Sequence, residues 1–557
     1  MVGWLIEYLD LCNLRKVLLI GVENVSIINL IRMRRLFILM SVVLMTVSVK
    51  AQEAKEWGDW TSWGQLSDST YINPIIPSDY SDLDCIRVED DYYAISSTMQ
   101  FSPGMTLLHS RDLVNWEITT NVIYDLSQIG PELTWAWMNR PARGVWAGTL
   151  RYHEGRFYVF FGTPDEGYFM TSAAQPEGPW EPLTCILAEP GWDDCTVAWD
   201  EDGNACFVGT NFADGYKTYL FRMAADGKAI DKASAKLINQ GRHREANKLI
   251  KVGEWWYLIF SEHVDGIGRY VMAKRSRNMI GPYDQEKQLA LASWDAHEPN
   301  QGGIVQGKDD NWYFLTHHGR GDWSGRIVSL LPVTWVEGWP IIGEVVPENI
   351  GTMKWSGAMP ARDEIKLCIR RSDDFDDGSL APQWQWNYQP RDEMFSLTER
   401  YGWLRLKAFC PLKTNILLKA GNTLTQRTFR TPSNCVTIKM DISHMEDGQK
   451  AGLCHFSSKS SALGVVQENG HRFLEFRLND QETTGMQLNQ PYIWLQSRWG
   501  LEGKSQFYYS LDGDVFYPFG EVYQLVWGHY RGDRIGIYNF NDLQEVGWVD
   551  IDYLHYE

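Results

Sequence analysis

From residue 70 to 345 the chain alternates short apolar strands with turns of Gly, Asp and Asn. Five segments repeat one pattern of strand, polar tight turn and aromatic strand: RVEDDYYAI, RYHEGRFYVFF, WDEDGNACFVG, IKVGEWWYLIF and VQGKDDNWYFL. Each predicts a β-hairpin. Four are followed by a second pattern, LLHSRDLVNWE, YFMTSAAQPEGPWE, YLFRMAADGKAI and YVMAKRSRNMIGPYD, which suits the outer half of a four-stranded sheet. The aromatic anchors Tyr93, Tyr158, Phe207, Tyr257 and Tyr313 recur about every 50–65 residues, the length of one propeller blade. A five-bladed β-propeller over 70–345 is therefore predicted. Residues 346–369 read as a connecting segment. Alternation resumes over 370–557, in YGWLRLKAF, NCVTIKMDISH, RFLEFRL, QFYYSLDG and DRIGIYNF. No helix-length amphipathic run interrupts it, so the second domain is predicted to be a β-sandwich of jelly-roll type and the chain all-β.

Counting back about a dozen residues from each anchor reaches Asp82, Trp146, Asp194, Glu245 and Gln301. The first strand of a propeller blade lines the central channel, so residues at one register of successive blades face a common funnel. Three converging carboxylates with a Trp and an amide predict acid–base chemistry on a neutral, polar substrate. Asp82 and Glu245 sit on blades one and four, which face each other across a five-fold ring. Asp194, on the blade beside Glu245, would raise the pKa of Glu245 by like-charge repulsion. The neighbouring acids Asp84 and Asp193 read as turn caps.

Composition narrows the substrate. The 557 residues are 44% hydrophobic and 22% charged, as in globular chains of two or three domains. A net charge of −19 argues against nucleic acid or an anionic membrane as partner. No phosphate-binding Gly loop, CxxC pair or HExxH is present. The 26 Trp suit stacking on sugars, although most Trp of a many-stranded β protein fill its core. MRRLFILMSVVLMTVSVKAQ from Met33 reads as a secretory signal cleaved after Ala51. Met33 is then the start, residues 1–51 the leader, and 52–69 an N-terminal segment of an exported, periplasmic or extracellular protein without membrane insertion. Eight Cys follow the leader in no disulfide framework and read mostly as small buried hydrophobes.

The stretch NPIIPSDYSDLDCIRVEDDYYAISSTMQFSPGMTLLHSRDLVNWE resembles the opening of glycoside hydrolase family 43, the five-bladed β-xylosidases and α-L-arabinofuranosidases. GVWAGTLRYHEGRFYVF, GWDDCTVAWDEDG, REANKLIKVGEWWYL, NQGGIVQGKDDNWYFLTHHG and GRIVSLLPVTWVEGWP are similar to its later blades, in order, over residues 71–345. The resemblance implies Asp82 as general base, Asp194 as pKa modulator and orienting group, and Glu245 as general acid, with Arg326 reaching the sugar. It implies a concanavalin-like sandwich behind the propeller, from which a loop can help close the pocket. The chain departs from the family at Leu83, Cys195 and Gly148, where Pro is usual, and at Ala246-Asn247, where many members have Gly-Pro. These neighbours shape the pocket walls and bear on substrate preference.

The expected activity is exo-acting, inverting release of terminal α-L-arabinofuranose from plant polysaccharides or oligosaccharides, with β-D-xylosidase as the alternative. A non-catalytic glycan-binding propeller is the rival of a different class, and a retaining enzyme on a similar scaffold is a third. Trp146, Gln301 and Phe101 are candidate sugar contacts. His317 or His318 is a candidate ligand of a channel ion, His318 being preferred. No cofactor is required; Asp376, Asp550 and Asp552 are candidates for a structural calcium site.

Overall fold

The computed structural model describes residues 62–557 apart from 267, 292–298, 320 and 480, and of His318 only the backbone. The leader therefore lies outside the described residues. Five antiparallel sheets follow one another along the chain. Blade one is built from Asp84–Val88, Asp91–Ser96, Gly104–Ser110 and Trp116–Ile123, and blade two runs from Gly148–His153 to Thr184–Leu187. Blade three runs from Trp192–Trp199 to Ile230–Asn239, blade four from Glu245–Val252 to Gln285–Ala290, and blade five from Gly302–Gln306 to Trp339–Ile342. Within each blade, sequence neighbours pair in order. The innermost strand of blade five packs against that of blade one, closing the ring. Gly303 permits this approach, because a Cβ there would lie 2.1 Å from the Cys85 nitrogen.

Aromatic side chains fill the gaps between blades, as the repeat predicts. Phe160, Tyr168, Trp192, Phe207 and Phe221 form one such layer between blades two and three. Burial of each large apolar side chain contributes about 1.5–3 kcal/mol. Residues 346–369 do more than connect. Ile350–Thr352 joins the outer edge of blade four and Ser356–Ala358 pairs with Thr70–Ile72. Strands of three residues are too short to show alternation.

The C-terminal domain is a sandwich of two large antiparallel sheets. Its first sheet accepts Phe101–Ser102 of blade one as an edge strand, paired with Gln385–Asn387. Further bonds tie the domains together: Ser78 Oγ donates to the Thr428 carbonyl at 2.8 Å and Arg427 Nε to the Asp79 carbonyl at 2.6 Å. A single apolar cluster runs from Tyr71 and Tyr80 through Trp386 to Ile551.

Two expectations are corrected here. Asp550 and Asp552 do not meet Asp376 around a cation. Arg405 and Arg400 occupy both oxygens of Asp550, and Lys439 Nζ donates to Asp552 at 2.7 Å. Among the described residues no group of three acidic, His or Cys side chains could hold a metal ion. The cysteines after the leader are all free, but only four of the eight are buried.

Candidate active site

Each acidic ring position lies where the backbone departs from a regular strand. Asp82 (φ 57°), Asp194 (φ 46°) and Ala246 (φ 65°), next to Glu245, occupy the left-handed region, at a cost of about 1–3 kcal/mol apiece. Register shifts follow Asp193 in blade three and Glu245 in blade four. Such bulges re-aim side chains, here into a cavity of about 540 Å³. All five predicted ring residues, Asp82, Trp146, Asp194, Glu245 and Gln301, line this cavity, and so does Arg326.

The acids differ in their partners. Asp82 is 7% exposed; its Oδ1 accepts from Arg326 Nη1 at 2.6 Å, and its backbone N–H donates to His317 Nδ1 at 2.9 Å. Burial alone would raise its pKa, but Arg326 and His317 hold it below the usual carboxylate range. Asp194 accepts from Gln301 Nε2 at 2.8 Å. Burial raises its pKa, the Ala246 N–H opposes this, and Asp82 reinforces it. Glu245 pairs with Arg269 at 2.5 Å and leaves 26% of its side chain open to the cavity. Desolvation by the surrounding atoms pushes its pKa up to about 7, with Arg269 opposing and Asp194 and Asp82 adding to the rise. One pocket thus holds a carboxylate kept charged and another that carries its proton near neutrality. That division suits a general base and a general acid.

Residues 71–340 match the family model described as Glycosyl hydrolases family 43, and residues 372–557 that described as Beta xylosidase C-terminal Concanavalin A-like domain. A beta-xylosidase of Formosa agariphila is 32% identical over 89% of this chain and 91% of its own. The chain belongs to glycoside hydrolase family 43. A non-reducing end alpha-L-arabinofuranosidase of Bacteroides ovatus is 29% identical over 61% of this chain and 66% of its own. Among solved structures, a bifunctional GH43-CE protein of Bacteroides eggerthii superposes with a TM-score of 0.77 at 28% identity, covering 88% of this chain and 64% of the other.

In this family 43 hydrolase the cavity wall combines both domains. Trp146 Nε1 donates to the Ala142 carbonyl at 2.8 Å, and its ring lies 6.1 Å from Phe212 and 6.2 Å from Tyr530. Tyr530 and Trp527 come from a sandwich loop and also line the cavity. The Tyr530 carbonyl accepts from Arg326 Nη2 at 3.0 Å, so the sandwich helps fix the arginine that holds Asp82.

Phe101 is not a pocket residue. It is wholly buried at the domain seam under Arg534 and Arg531, 3.8 and 4.6 Å from their guanidinium carbons, because its strand is recruited by the sandwich sheet. Met99 of the same segment lines the cavity instead. Of the two histidines, His317 faces the pocket, while the side chain of His318 lies outside the described residues. Arg269, Arg143, Tyr216 and Asp193 also line the cavity without having been singled out as site residues. Arg269 is on the third strand of its blade, Tyr216 on a turn and Tyr530 in the other domain, so no register in the repeat could reveal them. Asp193 stood one residue from a predicted acid, but strict alternation assigns it to the opposite face.

Proposed function

We propose that this chain is an exo-acting, inverting hydrolase that releases β-D-xylose from the non-reducing ends of xylo-oligosaccharides. Asp82, kept charged by Arg326, takes a proton from the water that attacks the anomeric carbon. Glu245 gives its proton to the leaving glycosidic oxygen as that bond breaks, and Asp194 orients the sugar and sustains the high pKa of Glu245. Trp146, Gln301 and Arg326 contact the sugar. The observation that carries the reading is the division of charge between Asp82 and Glu245 within one cavity.

The Formosa agariphila relative, matched over nearly the whole of both chains, supports xylose over the arabinofuranose preferred from sequence alone. The Bacteroides ovatus relative keeps arabinofuranose as the second reading. Export through the leader belongs to the same proposal, since polymeric substrates lie outside the cell. Side-by-side assay of p-nitrophenyl β-D-xyloside and α-L-arabinofuranoside, with NMR of the first-formed sugar, tests the reading. Faster xyloside cleavage with α-xylose appearing first is expected. Faster arabinofuranoside cleavage reverses the preference, β-xylose appearing first indicates retention, and cleavage of neither favours a glycan-binding protein.

A further inference from the structure

Asp193 and Asp194 are consecutive on the innermost strand of blade three, and a regular strand would turn one of them away from the cavity. Both line it. The three steps from Asp193 to Thr196 oppose only two from Thr210 to Val208, and the left-handed Asp194 absorbs the extra residue. The main chain of Asp193 is pinned on two sides. Tyr168 Oη donates to its carbonyl at 2.7 Å, and Gly162 packs so closely that a Cβ there would lie 3.1 Å from the Asp193 Cα.

The surroundings of its carboxyl differ from those of the other three acids. Asp82 has Arg326, Glu245 has Arg269 and Asp194 has the Gln301 amide. Among the described residues Asp193 has no cationic partner, and its Oδ1 is buried without a hydrogen bond. The cavity's cations Arg326, Arg269 and Arg143 are engaged by Asp82, Glu245 and Asp165. The titratable groups coupled to Asp193 itself are the carboxyls of Asp194, Asp82 and Glu245, the phenols of Tyr168 and Tyr216, and the Cys195 thiol. None of these coupled groups favours a negative charge at Asp193. Burial and Asp194 push its pKa well up, and of its main neighbours only the Asp194 backbone N–H opposes the rise.

We propose that Asp193 is a substrate-binding residue that acts as a neutral carboxylic acid, its O–H donating to a sugar hydroxyl in the cavity. A carboxylate offers acceptors only, whereas the protonated acid presents a donor and an acceptor on adjacent atoms. The buried Oδ1 has no donor to stabilise a negative charge, which favours the protonated acid and leaves the O–H to donate. Sites built this way reject analogues that lack the matching hydroxyl. The inference rests on Asp82 and Glu245 being the catalytic base and acid beside it.

The test is steady-state kinetics of the full chain, Asp193→Ala and Asp193→Asn on p-nitrophenyl β-D-xyloside across pH, with thermal melts to verify folding. Asp193→Ala should raise KM about tenfold or more with a smaller fall in kcat. Asp193→Asn, which carries a donor and an acceptor on the same scaffold, should recover most of that loss. The wild-type KM should rise on the alkaline side as Asp193 ionises, and the Asn variant should lack that rise. An Asn variant as impaired as Ala, or an unchanged KM in Asp193→Ala, overturns the proposal. Should Asp193→Ala fail to fold, the Asn comparison decides alone, since a parallel alkaline rise in both proteins would contradict it. Should the wild type cleave neither aryl glycoside, the hydrolase reading fails instead. Tryptophan fluorescence titration with D-xylose then still tests Asp193, with weaker binding by Asp193→Ala expected and equal binding contradicting it.

Discussion

Asp84 shares one propeller with the acids of the cavity and stands two positions from Asp82, yet its surroundings are the opposite of those of Asp193, Asp194 and Glu245. Asp84 is 2% exposed, and its Oδ2 accepts from Thr149 Oγ1 at 2.6 Å, Arg151 Nη1 at 2.8 Å and the Leu150 N–H at 3.1 Å. Lys248 Nζ stands 3.9 Å away. Burial works against its charge, but Lys248, Arg151 and these hydrogen bonds hold its pKa below the usual range. It joins blade one to blades two and four and is fully compensated. In the cavity, Asp193, Asp194 and Glu245 all have raised pKa values, because burial and mutual repulsion exceed what Arg269 and the nearby amides return. Compensation separates the carboxyls that keep a proton, Asp193, Asp194 and Glu245, from those held charged, Asp82 and Asp84, and of the charged pair only Asp82 opens into the catalytic cavity. The cavity stores an electrostatic cost that a purely structural site would relieve.

Exchanging the two roles by mutation should break the contrast most sharply. Asp82→Ala should lower kcat by at least about a thousandfold on every substrate, with a smaller loss of stability than Asp84→Ala, because Arg326 is partly exposed and keeps the Tyr530 carbonyl. Asp84→Ala should do the reverse. Leaving Arg151 and Lys248 without their carboxylate should cost about 3–5 kcal/mol in denaturant unfolding, with kcat per folded molecule within a few-fold of wild type. A large kinetic loss in well-folded Asp84→Ala would end the comparison.

A smaller effect sharpens it. Arg269 favours the charged form of Glu245, so its removal must raise that pKa. Wild-type kcat should fall as pH rises through about 7, as Glu245 loses its proton. In Arg269→Met this alkaline limb should move upward, whereas a limb that stays in place or moves down contradicts the assignment. The acid limb, set by Asp82 below the ordinary carboxylate range, should not move.

The same contrast explains how much could be read before the structure. Blade repeats depend on alternation and turn residues, both local, so five blades, the following sandwich and all five ring positions emerged from pattern alone. Departures from local regularity stayed hidden. Asp193 reads as outward until a bulge turns it inward. Phe101 looks like a pocket aromatic until the sandwich borrows its strand. Tyr530 meets Arg326 across 204 residues of sequence, a distance no periodicity spans. Asp84 and Asp193 looked alike as turn caps, and neither is one; only their partners tell them apart.

The most direct test of the central claim is the dependence of Glu245→Ala turnover on the leaving group. Asp82 and water can still attack in this variant, but no proton is delivered to the departing oxygen. Aryl β-D-xylosides whose phenols leave without protonation should keep measurable rates, while xylobiose should lose about a hundredfold or more. The account predicts a rate that climbs steeply as the phenol becomes more acidic. An equal loss on activated aryl xylosides and on xylobiose would contradict it and remove Glu245 as the acid.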